Sequence, residues 1–93
     1  MASIRIVKTP EGEAPLWVRQ AWIGCEMPLM GTATDPVGLF SRVPVQDGYC
    51  VKGGDAISAL LDISPRARGW WIENLPNVYE RILVFNYSAC VLV

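Results

Sequence analysis

Trp17, Trp22, Trp70 and Trp71 place four of the largest apolar side chains in a chain of 93 residues. Each buries more surface than almost any other residue, and each brings an indole N–H that needs an acceptor once it leaves water. A fold for this chain must be built around aromatic packing, or must offer part of that packing to a partner. The chain is 52% hydrophobic and only 18% charged, which is apolar-rich and charge-poor for a globular domain. A domain this small leaves much of its surface outside. With few charges to cover that surface, some of it must be apolar, and exposed apolar patches mark interfaces. Self-association is the first expectation, and a homodimer its simplest form, because closed two-fold assemblies dominate. The length supports a single domain over residues 1–93.

The same composition removes several classes of function. The chain has no histidine, so it lacks the commonest general acid/base and metal ligand, and neither a Ser–His nor a Cys–His pair can form within it. Net charge is −1 and the basic residues are scattered, with Arg66 and Arg68 the densest pair. That is no phosphate-tracking surface, and a nucleic-acid partner is not expected. Cys25, Cys50 and Cys90 are odd in number and form no C-x-x-C pair. With no signal-peptide pattern at the start, they read as reduced thiols of a cytoplasmic protein. No metal or cofactor motif is present. The apolar run 82–93 contains Asn86 and Ser88 and is too short to span a bilayer as a helix, so no membrane partner is expected.

The order of elements predicts an α+β fold. Residues 3–8 alternate as a first strand, and Pro15 opens a short helix over 15–20. From Ala21 the period changes to two, which places Ile23, Cys25, Met27 and Leu29 on one strand face and Trp22, Gly24 and Glu26 on the other. Residues 31–37 read as a turn-rich, mobile loop and 38–43 as a third strand ended by Pro44. Asp47-Gly48 then turns into a fourth strand, Tyr49-Cys50-Val51. Asp55 is placed as the N-cap of one helix, and Ser64-Pro65 starts a second. In that helix Ala67, Trp70, Trp71, Asn74 and Leu75 form a stripe. Gly69 weakens it, and makes sense where another backbone approaches. Residues 82–93 form a last strand with two apolar faces. The expected architecture is a strongly curved, mostly antiparallel five-stranded sheet, or a small half-open barrel, with a helical pair inserted before the last strand.

Three functional readings follow. The first is a non-enzymatic, self-associating binding domain, probed at Trp70, Trp71, Phe85 and Tyr87. Trp70 and Trp71 stand about 100° apart on their helix, so only one can point straight into the core. The second is a small-molecule or peptide-binding groove lined by Trp17, Trp22 and Tyr49, with Arg19 and Glu26 as polar anchors. Against it stands plain core packing of all four tryptophans. The third is an enzyme using Glu26 as a carboxylic acid raised by its tryptophan neighbour, or Cys50 as a thiol near a helix start. The plainer alternatives are an ion pair of Glu26 with Arg19 or Arg42 and a buried structural thiol at Cys50.

Residues 5–29, opening Arg5-Ile6-Val7-Lys8-Thr9-Pro10 and passing through Trp17-Val18-Arg19-Gln20-Ala21-Trp22, carry a resemblance. With Gly48-Tyr49-Cys50-Val51 and the segment from Ser64-Pro65 to Trp71, they resemble a group of short uncharacterised bacterial proteins, some carried on mobile gene cassettes. The resemblance spans most of the chain. It implies a bacterial, cytosolic protein and supplies no activity, cofactor or catalytic residue.

Overall fold

Alternation in β1 (Ser3–Ile6) sets the first layer: Ile4 and Ile6 are fully buried while Arg5 faces water, the period-2 pattern of a half-buried strand. A computed structural model describes residues 2–33 and 47–93. In it, β1 is the centre of an antiparallel sheet between β2 (Glu26–Pro28) and β6 (Cys90–Leu92). Ile4 stands opposite both Met27 and Leu92. A second antiparallel sheet has β4 (Gly48–Lys52) between β3 (Gly31–Ala33) and β5 (Ile82–Asn86). The protein is thus an α+β domain with two three-stranded sheets, neither closed nor strongly curled. This replaces the expected single five-stranded sheet or half-open barrel. The expected strand over 38–43, Pro44, most of the 31–37 loop and Arg42 lie outside the described residues; Gly31–Ala33 is strand β3, not loop.

Two corners make the difference: the first lies where the expected second strand ends, and the second interrupts a run expected as one unbroken strand. At the first, the Leu29 N–H donates to the Ala2 carbonyl (2.9 Å) and the next N–H, of Met30, to the Cys50 carbonyl (2.8 Å). Consecutive residues therefore bond to different sheets. At the second, Asn86 is the buried polar residue among those described. Its Oδ1 accepts the Glu11 N–H (3.0 Å) and its Nδ2 donates to Ser88 Oγ (2.5 Å). These bonds tie the Asn86 side chain to the 10–14 loop and to Ser88 at the point where β5 ends. The chain leaves β5 through a 3₁₀ turn at Tyr87–Ala89 and re-forms as β6 in the other sheet. The expected last strand over 82–93 is therefore two strands, and the helices precede both.

A third departure concerns Trp22. Residues 21–24 form a turn rather than a strand, closed by Gly24 at φ +89°, a conformation natural to glycine. The turn drops Trp22 inward with Cys25 and Met27 and leaves Ile23 45% exposed. Trp22 therefore shares the inward side with Cys25 and Met27, where an alternating strand would have set it on the opposite face.

The helices are short. α1 (Leu16–Gln20) follows Pro15 and packs on α3 (Pro65–Asn74). Ser64 caps α3 as its sequence implies, its Oγ accepting the Ala67 N–H at 3.2 Å. α2 (Gly53–Ser58) begins directly after β4, with Lys52 in the cap position and Asp55 inside the first turn, so Asp55 is not the N-cap. The constraint lies at Gly53, whose N–H donates to the Arg81 carbonyl (2.6 Å). A Cβ there would collide with the carbonyl oxygens of Val78 and Arg81. α2 packs on β2, β4 and β5, and the core gathers Trp22, Phe85, Ile4, Ile6, Met27, Ile57, Leu60, Val18 and Val51. Among the described residues, no helix is long and apolar enough to cross a membrane.

Candidate functional site

The aromatic core has a ceiling made by the loop between β1 and α1. Trp22 stacks on Trp71 with centroids 5.1 Å apart and meets Phe85 edge-on at 5.0 Å. Its indole N–H is satisfied by the Ala56 carbonyl at 2.9 Å. Above these rings lies a cavity of about 30 Å³, lined by Trp22, Trp71, Leu83, Phe85, Arg19 and residues 10–13. That is room for about one water. The loop over it is held from two sides. Arg19 donates from Nε to the Ala14 carbonyl (2.7 Å) and from Nη1 to the Pro10 carbonyl (2.9 Å), and Asn86 takes the Glu11 N–H. Arg19 thus directs its donors at its own loop. Among the described residues, the Trp71 indole nitrogen is the buried side-chain polar atom without a hydrogen-bond partner.

The other expected groove residues are elsewhere. Trp17 is 42% exposed and carries the Arg66 guanidinium over its ring at 4.8 Å. Tyr49, on β4, meets Tyr87 edge-on at 4.6 Å. Glu26 stands on the solvent side of its sheet and pairs with Arg5 across the β1–β2 ladder, Nη2 to Oε1 at 3.4 Å. The structure brings Trp22 and Arg19 to one cavity and leaves Trp17, Tyr49 and Glu26 outside it. Of the residues expected near a subunit contact, Trp71 and Phe85 belong to the core, whereas Trp70 is half-buried and Tyr87 exposed. Trp70 and Trp71 divide as their spacing requires, with ring planes at 89°.

Comparison with protein-family models, with curated proteins and with solved structures finds no match to this chain.

Burial sets the state of two of the thiols. Burial pushes the Cys90 thiol up to about 12, and burial also raises that of Cys25, whose Sγ lies 3.5 Å from the Ala59 carbonyl oxygen. A protonated thiol is a poor nucleophile. Cys50 is half-buried on β4. Among the described residues, no group of three or more Cys, Asp or Glu side chains is placed to hold a metal ion.

A second place has the character of a surface site. Between α1 and α3 an open depression of about 530 Å³ is lined by Trp17, Arg66, Gly69, Trp70, Ile72 and Glu73. Ile72 is exposed to the same extent as Trp17. Its lining combines three large apolar side chains with one cation and one anion. Sequence reasoning singled out Trp17, Gly69 and Trp70 but passed over Arg66, Ile72 and Glu73 as contact residues. The available signal was spacing: Arg66, Gly69, Trp70 and Glu73 are at i, i+3, i+4 and i+7, a single helix stripe.

Proposed function

We propose that this protein is a small, non-enzymatic interaction domain that associates with itself as a homodimer. The observation that carries this reading is the depression between α1 and α3, where two tryptophans and an isoleucine remain in contact with water. Interface centres favour aromatic anchors ringed by polar side chains, and tryptophan and arginine are over-represented among residues that dominate binding. The site chemistry supports the same direction. Glu26 is a surface ion-pair partner, and Cys25 and Cys90 are held protonated by burial. Sedimentation equilibrium at micromolar concentration tests the reading. The expected mass is twice the 10.3 kDa of the chain, and a strictly monomeric species overturns it.

A second reading has its own observation. The unpartnered Trp71 indole belongs to a residue lining the cavity beneath the 10–14 loop. A buried donor left without an acceptor costs about 1–3 kcal/mol, so an acceptor supplied by a small ligand's carbonyl would be favoured there. Because the cavity as it stands holds about one water, any larger ligand would enter only with displacement of the 10–14 loop. Titration with N-methylacetamide, followed by NMR of the indole N–H resonances, tests it. A shift confined to Trp71 supports a ligand site. An unchanged Trp71 resonance, or equal drift of all four indoles, removes it. Trp22, already bonded to Ala56, is the internal control.

A further inference from the structure

We propose that two copies dock through α3 in antiparallel register, each protomer's Arg66 meeting the partner's Glu73; this rests on the self-association reading above. Arg66, Gly69, Trp70 and Glu73 share one side of α3, and all four line the open depression. The midpoint between Arg66 and Glu73 falls between Gly69 and Trp70. A two-fold axis through that midpoint superposes the stripe on itself with its ends exchanged, which is the self-complementarity an isologous contact requires. The cation of one copy then faces the anion of the other, twice. Parallel alignment would set Arg66 against Arg66.

Three observations fit a second copy better than an unrelated partner. First, Gly69 has no packing reason among the described residues. A Cβ built there meets nothing within 4 Å, yet a glycine inside a helix destabilises it relative to alanine. At the centre of a helix–helix crossing the missing side chain lets two backbones approach. Second, among the described residues neither Arg66 nor Glu73 lies within salt-bridge distance of an opposite charge. Arg66 is instead laid over Trp17, which holds the guanidinium along the face and leaves its N–H groups for a carboxylate. Third, the lining carries one positive and one negative charge among apolar side chains, so the surface is complementary to itself. Burial of Trp17, Trp70 and Ile72 supplies the attraction, and the two charge pairs choose the register.

The test uses two surface variants of the full chain, Arg66→Glu and Glu73→Arg, followed by sedimentation and native mass spectrometry. Each alone sets like charges together across the axis and is expected to dimerise about tenfold or more weakly. Mixed in equal amounts they restore opposite charges at both ends, and a heterodimer of near wild-type affinity is expected. The double variant Arg66→Glu/Glu73→Arg is expected to recover self-association. Circular dichroism matching the wild type excludes loss of fold as the cause. If the wild type dimerises and both single variants dimerise equally well, this register is wrong while self-association stands. The contact then lies on another surface, such as the β6 edge where Val91 and Leu92 are exposed. Weakened single variants that fail to rescue each other also overturn the antiparallel register. A monomeric wild type overturns both readings.

Discussion

Trp17 and Trp22 are five positions apart in the chain and meet opposite environments. Trp22 is 2% exposed, bonded through its N–H to Ala56 and packed between Trp71 and Phe85. Trp17 has one face under the Arg66 guanidinium and 42% of its surface in water. The same side chain does two jobs because its two requirements, apolar contact and an acceptor, are both met inside the molecule at Trp22. At Trp17 the contact is only half-supplied. The region around Trp22 therefore holds the fold together, whereas the region around Trp17 leaves aromatic surface in water.

Trp22→Ala is expected to lower stability by about 4 kcal/mol, from lost transfer energy plus the cavity left behind; urea denaturation measures it. A loss below about 1 kcal/mol would mean that the ring is not the centre of the core. Gly69→Ala is expected to act with the opposite sign. It should stabilise the monomer by up to about 1 kcal/mol through helix propensity, because its new methyl meets open space, while weakening self-association. Denaturation of dilute protein and sedimentation of concentrated protein separate the two effects. Trp17→Ala should change monomer stability by no more than about 1 kcal/mol, since part of its surface is already exposed, and should weaken association clearly more than folding. A final check needs no variant. Because burial raises Cys90 from about 9 to about 12, its contribution is intact below about pH 9. It is lost as pH rises toward 12, since the unfolded chain releases that proton first. A denaturation series from pH 8 upward should show stability falling across this window, and a Cys90→Ala variant should fall less steeply.

Much of the architecture was legible where the information is local. Alternation in 3–6 marked β1, the Ser64-Pro65 pair marked the start of α3, and Asp47-Gly48 preceded β4. The two corners were not legible. Asn86 sits in an apolar run whose periodicity continues as a strand, whereas near Met30 the sequence reads as a loop in place of a second strand that starts at Gly31. At the first corner consecutive N–H groups reach different sheets, and the 82–93 run is ended by a side chain bonded to Glu11, 75 residues away in sequence. Asn86 and Ser88 were visible as polar residues in an apolar run, and that was the only local sign. The cavity was half-legible. Trp22 and Arg19 were both singled out, but Trp71, Leu83 and Phe85 reach the cavity only through tertiary packing. The α1–α3 face was legible in parts, as an exposed tryptophan and a mid-helix glycine without a local purpose.

The sequence by itself determined that aromatic packing dominates, that histidine chemistry is absent and that charge is too sparse to cover the surface. Those follow from composition, which needs no coordinates. Only the tertiary structure decided which tryptophans become core and which remain available. Burial of a ring depends on non-local partners: an acceptor from α2 for Trp22, and an arginine from α3, rather than a core, for Trp17.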